Sequence, residues 1–329
     1  MPAPVLPIQK LQYGVESVAG TLVPATRVVD HYAGTAKFRR DMENITVRNA
    51  GSFATAHRGY AGQETTEVDW EASATYDRLT DYGALFFDKV NTGTGSGATR
   101  TWTFTPSDTA DNLARYSLEW GGTNFPSAYT LTGATGKSLA IGIKPNDPWR
   151  VKATLAGVRT QTGSLTSALS LPSTMQGDDV LWTQTSVYIN GTGSAYGATQ
   201  MTGRIFAADF TLTNGTQPLH TLDGVAYPAS VLLTKNRELG VKIIAAYDSQ
   251  DQYTATFAST TQRVQLKAVS GSKSVSLNIN GYWESIPFGE NNGVITTELN
   301  LLGLYDSTGI ASDLQMVLVN GVTTLTSIP

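Results

Sequence analysis

The sequence contains no cysteine, which excludes disulfide bonds and cysteine-based metal sites. Its three histidines, His31, His57 and His220, are far apart, and none has the i,i+4 partner that a helical zinc site needs. An apolar run of 18 or more residues and a basic–apolar leader are also lacking. We therefore expect a protein that binds no metal or cofactor, has no membrane-spanning helix and is made in a cytoplasm.

Charged residues are scarce and unevenly distributed. They make up 15% of the chain, against about 25% in an average globular protein. Residues 1–164 carry 16 basic and 15 acidic side chains, whereas residues 165–329 carry 7 and 12. No dense run of lysine and arginine exists, which argues against a dedicated nucleic-acid-binding protein.

The charge asymmetry predicts that a basic face of one subunit meets an acidic face of the next. The candidate basic residues for this contact are Arg27, Lys37, Arg39, Arg40, Arg48 and Arg58.

A short motif occurs twice in the chain. Its six residues Ala74, Tyr76, Asp77, Tyr82, Ala84 and Phe86 recur 171 positions later as Ala245, Tyr247, Asp248, Tyr253, Ala255 and Phe257. This offset is about half of the 329 residues, as a tandem duplication of one domain would leave it. We expect an extended arm, a first domain, a linker and a second domain, with the boundaries 1–28, 29–160, 161–178 and 179–329.

Each copy of the motif predicts the one helix of its half. The aspartate of each copy, Asp77 or Asp248, is placed to cap the first free backbone N–H groups of that helix. The aromatic residues that follow it are spaced i,i+4 and share a helix face. These packing and assembly candidates are Tyr82 with Phe86 and Tyr253 with Phe257. We expect both rings of each pair to be buried against a sheet.

The remaining sequence is typical of β-strands, which makes the predicted class mainly β with one helix per repeat. Alternating or β-branched segments predict strands in each half. These segments are 38–47, 65–75, 101–105, 116–120, 139–143, 151–158, 187–189, 205–212, 239–246, 264–269, 275–279, 294–302 and 314–319. Pairs of Asn or Asp with Gly predict turns. They are Asn214-Gly215, Asp223-Gly224, Asn280-Gly281, Asn292-Gly293 and Asn320-Gly321.

Three acidic residues alternate along the predicted strand 65–75. Because successive side chains of a strand point to opposite faces, Glu67, Asp69 and Glu71 should share one face. Such a group could bind a cation or supply catalytic carboxylates. It could also be a solvated sheet face, or the lining of a lumen.

The segment 13–26 reads YGVESVAGTLVPAT. It resembles the start of the tail tube proteins, or major tail proteins, of bacteriophages with long non-contractile tails (siphophages). The N-termini of that family often read Gly-x-Glu-(Ser/Thr)-x-x-Gly-Thr followed by a proline. The closing part of this chain, from Ser274 to Val322, also resembles the family's terminal strands.

The resemblance implies two tandem β-sandwich or half-barrel domains whose strands join an inter-subunit β-barrel. Three chains would form a pseudo-sixfold ring, and rings would stack into the tail tube, with the Pro-rich arm and loops bridging them. The expected protein is a structural virion component of the tail, assembled in the host cytoplasm, without catalytic residues. Its expected partners are copies of itself, a tape-measure protein, a tail terminator and DNA in transit during ejection. The acidic second half predicts a net-negative lumen.

Two other functions fit the same sequence. A β-rich capsid decoration or host-adhesion module would form a small oligomer that does not stack. A carbohydrate-active enzyme would use the carboxylates near Glu67.

Overall fold

The fold is known from a computed structural model of the chain. It describes residues 9–32, 35–47, 58–88, 90, 92–95, 99–122, 125, 127–166, 169, 178–191, 193–248, 254 and 260–325. Strands dominate this part, and one α-helix of eight residues is found in it. The predicted mainly β class is confirmed.

The main sheet is built from antiparallel strands drawn from both halves of the sequence. Their order across it is β3 (Lys37–Val47), β4 (Arg58–Ser73), β8 (Arg150–Gly157), β7 (Ala128–Ile143), β11 (Ile205–Leu219), β12 (Ser230–Ala246) and β16 (Val294–Gly303). The eighth position is shared by the end of β14 (Lys273–Ser285) and β15 (Phe288–Asn291), both paired with β16. Asn292 and Gly293 connect β15 to β16 at φ 51° and 80°, as a tight hairpin requires.

A second group of strands covers the inner face of the main sheet. The first half contributes β1 (Gln9–Val15), β2 (Arg27–Val28), β6 (Tyr116–Gly122) and β9 (Arg159–Gly163). Around the first part of β14 lie β10 (Thr185–Gly191), β13 (Gln262–Ser270), β17 (Leu314–Asn320) and β5 (Arg100–Phe104). A 3-10 helix, Trp182–Gln184, precedes β10. One hydrophobic core contains residues of both halves.

The same pairing plan occurs twice. In the first unit β3–β4–β8–β7 lie side by side, and the start of β7 also pairs with β6 and β9. In the second unit β11–β12–β16–β14 lie side by side, and the start of β14 also pairs with β13 and β17. In addition, β1 pairs with β6 in the first unit, and β10 pairs with β13 in the second. The two units join edge to edge where β7 pairs with β11.

Helix α1 (Leu79–Phe86) is enclosed by the core, and all eight of its residues are buried. Tyr82 and Phe86 are among them, as the i,i+4 spacing predicts. The prediction that Asp77 caps this helix is wrong. The helix begins one residue later, after Arg78, whose backbone N–H donates to the hydroxyl of Thr75 at 3.2 Å. The Asp77 carboxylate instead accepts a hydrogen bond from Lys273 at 3.1 Å, which draws it away from the helix end.

The second copy of the motif is only partly described. Asp248 forms an ion pair with Arg204 at 2.8 Å. Tyr253 and Phe257 lie outside the described residues, and so does most of the predicted second helix.

The prediction that residues 1–28 form an extended arm is wrong for residues 9–28, which belong to the folded core. The strand β1 pairs along its whole length with β6, and its Leu11 and Tyr13 are buried. The strand was missed although Leu11, Tyr13 and Val15 alternate with Lys10, Gln12 and Gly14, because the prolines on both sides of it indicated an extended segment. Residues 1–8 lie outside the described part.

The predicted linker, 161–178, is partly docked on the first unit. Residues 161–163 belong to β9. The backbone N–H and the hydroxyl of Thr166 donate to the Glu119 carboxylate at 2.7 and 2.9 Å. Residues 170–177 are not among the described residues.

In the described ranges we find no helix with the length and apolar content needed to cross a bilayer.

Candidate assembly surface

The outer face of the main sheet is polar. Along β4 the side chains of Val68 and Trp70 are buried, whereas Glu67, Asp69 and Glu71 are half-buried on the opposite face. The alternation of a strand therefore places the three carboxylates together, as the sequence predicts.

Each of these carboxylates contacts basic side chains of neighbouring strands. Arg39 on β3 lies 2.7 Å from Glu67 and 3.0 Å from Asp69. Lys137 on β7 also pairs with Glu67. Exposed pairs of this kind contribute about 0–1 kcal/mol each. Their main effect here is to neutralise the charges of the face.

Glu71 extends the same row of charges towards the second unit. Arg150 and Lys152 on β8 lie 3.6 and 3.7 Å from its carboxylate. These three residues and Asp209 on β11 line a groove of about 470 Å³.

The charges of this outer face balance between β3 and β16, over the width in which β4 pairs with β8. Its paired region holds six acidic residues: Glu67, Asp69, Glu71, Asp209, Glu238 and Glu298. It also holds six basic residues: Lys37, Arg39, Lys137, Arg150, Lys152 and Lys242. This central region is therefore not net negative, and the acids Asp41 and Glu284 lie beyond it.

The predicted inter-subunit basic residues have different locations. Arg27 is buried in an ion pair with Asp81 at 2.5 Å, so its assignment to a subunit contact is wrong. Its burial depends on an acid 54 residues away, which no local pattern indicates. Arg40 is exposed and binds Glu64 at 2.7 Å. Lys37 is also exposed. Two candidates are undescribed: the whole of Arg48 and the side chain of Arg58.

Asp81 is the centre of a buried polar cluster, the Asp81 cluster, beneath the first turn of α1. Its carboxylate accepts hydrogen bonds from the hydroxyls of Tyr13 and Tyr116 and from Arg27. Arg78 donates to the Tyr13 hydroxyl at 2.9 Å. Burial raises the pKa of both tyrosines, so they stay protonated and donate. The cluster fixes the N-terminal strands to the helix.

The main sheet has two outer edges without a partner strand in the described part of the chain. One is β3, which pairs only with β4. The other is the edge 282–291, at the end of β14 and along β15, whose described strand pairing is with β16. Both carry exposed charges, and the second adds the exposed aromatic residues Tyr282 and Phe288. Unpaired strand edges readily bind another chain.

Two long hairpins extend beyond the paired width of the sheet. The pairing of β4 with β8 stops at Thr66, and that of β11 with β7 stops at Thr213, although both hairpins continue. The Glu64 N–H, within β4, donates to the carbonyl of Ala226 in the turn of the second hairpin at 2.8 Å. Leu222 at the tip of the second hairpin is fully exposed.

The edge 282–291 is the functional feature that the sequence pattern missed. Its one local signal was the predicted Asn292-Gly293 turn, which implies a strand before it as well as after it.

Comparison with known proteins gives no assignment. No family model matches the chain, and no curated protein sequence is significantly similar to it.

Proposed function

We propose that this chain is a structural subunit that assembles edge to edge into rings, and that stacked rings form the tail tube of a long-tailed bacteriophage. The observation that carries the proposal is the β7–β11 junction. Two units with the same strand arrangement already join there by strand pairing, and among the described strands one such edge lacks a partner strand on each side. A subunit that repeats its own internal junction with its neighbours closes into a ring if the rotation at each junction completes a full turn.

We propose a tail tube ring because residues 13–26 and 274–322 resemble the first and last segments of siphophage tail tube proteins. With two units per chain, three chains would give pseudo-sixfold symmetry. The projecting hairpins would contact the next ring. Copies of this chain, a tape-measure protein and a tail terminator are the partners proposed on the same basis, with the virion tail as the location.

The polar outer face suits the lining of such a channel. Four of its acids, Glu67, Asp69, Glu71 and Glu298, are held in ion pairs, which favours a structural role over hydrolysis. Passing DNA needs a wall that does not bind phosphates, and affinity for DNA grows with each unpaired Lys or Arg. A balanced face, in which most bases contact acids, provides this without net negative charge.

Glu71→Gln is expected to make assembled tubes retain DNA, because it removes the acid shared by Arg150 and Lys152. Binding of a short duplex should rise severalfold at low salt, and the salt slope should steepen by about one. Fluorescence anisotropy over a salt series measures both. Asp223→Asn removes a charge from the exposed hairpin turn and should change neither. Equal behaviour of the two variants would contradict a channel role for this face.

Electron microscopy of the concentrated purified protein, with mass measurement of any ring, tests the proposed function. Hollow stacked rings of three chains are expected. Rings of six chains would retain the tube but overturn the pseudo-sixfold trimer. A small oligomer that never stacks would favour the decoration or adhesion module, and monomers at every concentration would contradict the proposal.

A further inference from the structure

We propose that the two open edges of the main sheet bind each other between copies in the register that β7 and β11 use inside the chain, placing Lys37 of one copy opposite Ser285 of the next. The inference rests on the proposed function, since it concerns a ring of copies, and it adds which residues meet.

The strand directions permit this contact. All neighbours in the main sheet are antiparallel, and the sheet has an even number of positions from β3 to β15. The two edge strands therefore run in opposite directions. A second copy placed head to tail continues the antiparallel order without a break.

The repeat fixes the position equivalent to Lys37. Lys37 on β3 pairs with Asp69 on β4. Thr211 on β11 pairs with Gly240 on β12. Asp69 and Gly240 are 171 residues apart, the offset of the repeated motif. Lys37 therefore occupies in the first unit the place that Thr211 occupies in the second.

The same comparison fixes the position equivalent to Ala140. On β4 and β12, Glu71 and Lys242 are again 171 residues apart. Glu71 pairs with Lys152, which pairs on its other side with Ala140. Lys242 pairs with Asn300, which pairs on its other side with Ser285. Ser285 thus takes the place of Ala140.

Inside the chain Ala140 pairs with Thr211. Their equivalents, Ser285 of one copy and Lys37 of the next, should therefore pair across the subunit boundary. The next two internal pairs, Leu139 with Leu212 and Ser138 with Thr213, correspond to Trp283 with Phe38 and Tyr282 with Arg39.

The side chains brought together in this register are complementary. On the inner face Phe38, half-buried at its edge, would lie beside Trp283, which is already buried in the core of its own chain. On the outer face Lys37 would meet Glu284, which lies beside Ser285 at a bulge of β14. Both charges are exposed, and within the described residues neither forms an ion pair. Opposite charges at facing positions stabilise strand pairing, and like charges oppose it.

The absence of native cysteine makes cross-linking a clean test. Facing residues of an antiparallel pair have Cα atoms about 4.5–5.5 Å apart, within the range that a disulfide spans. Assembled Lys37→Cys/Ser285→Cys protein should give intermolecular disulfides in high yield on mild oxidation. Asp41→Cys/Ser285→Cys is the matched control, because Asp41 lies on the same face of β3 about 13 Å further along.

The outcomes separate this inference from the proposed function. Tubes that form but cross-link equally through both pairs, or only through the control pair, would overturn the register and leave the tube function standing. Cross-linking by Lys37→Cys alone would show β3 binding itself, which also overturns the inference. Wild-type protein that never assembles would instead overturn the proposed function.

A charge swap provides a second test that does not depend on disulfide formation. Lys37→Glu should raise the critical concentration for assembly severalfold, as should Glu284→Lys, and the double variant should return it towards the wild-type value. Monomer circular dichroism confirms that each variant folds. Additive losses in the double variant would overturn the pairing of these two residues.

Discussion

Asp81→Asn is expected to destabilise the folded chain by about 3–5 kcal/mol, the usual cost of removing one partner of a buried ion pair. Asp81 and Arg27 are almost completely buried, with side-chain exposures of 6% and 1%. Asparagine preserves the shape but leaves the Arg27 and Arg78 guanidinium groups buried without a counter-ion. The two tyrosine hydroxyls also lose a charged acceptor. Urea unfolding of the unassembled protein measures the change.

Two comparison variants make this prediction specific. Asp69→Asn removes the same charge from the half-exposed pair with Arg39 and should cost about 1 kcal/mol or less. Arg27→Met combined with Asp81→Asn should cost less than the sum of the single changes, because no partner of the ion pair then stays buried alone. Equal costs for Asp81→Asn and Asp69→Asn would contradict the role assigned to the Asp81 cluster.

Strand positions were predictable because most strands are buried on one face. Every strand segment predicted from the sequence coincides with an observed strand, and the face shared by Glu67, Asp69 and Glu71 follows from the same alternation. The strand β1 was missed although its apolar residues also alternate, because the surrounding prolines indicated an extended arm. Local periodicity indicates a strand, but it does not show whether that strand joins the core.

Two predicted turns lie inside strands, for reasons that concern distant residues. Asn214-Gly215 falls at an irregular step of β11, where the Asn214 amide donates to the carbonyls of Phe86 and Gly136 at 3.0 and 3.3 Å. Gly281 lies within β14, where a Cβ atom would be 2.1 Å from the carbonyl oxygen of Leu302. Local sequence cannot distinguish a glycine that a turn requires for its positive φ from a glycine that is required because another backbone packs closely against it.

The candidate assembly surface was only partly predictable. The acidic row was found, but its basic partners come from other strands, and the open edge 282–291 depends on which strands pair. Asp77 illustrates the same limit. Its carboxylate binds Lys273, which lies nearly 200 residues later, instead of capping the helix. Partners so far apart in sequence leave no pattern within any short window.

Phe86→Ala is expected to cost about 3–5 kcal/mol, the range for truncating a fully buried phenylalanine. Phe86 ends helix α1 with no exposed surface, and its ring lies so close to β7 that a Cβ atom on Gly136 would be 2.5 Å from it. The rigid strand cannot move in to fill the space, so a cavity remains. Phe288→Ala, at a half-exposed edge position, should cost well under half as much. Urea unfolding of the monomers compares them, and a loss below about 1.5 kcal/mol for Phe86→Ala would contradict this packing.

The repeated motif extends the experiment to Phe257→Ala. A cost similar to that of Phe86→Ala would support a second buried helix, and a near-neutral change would contradict that prediction.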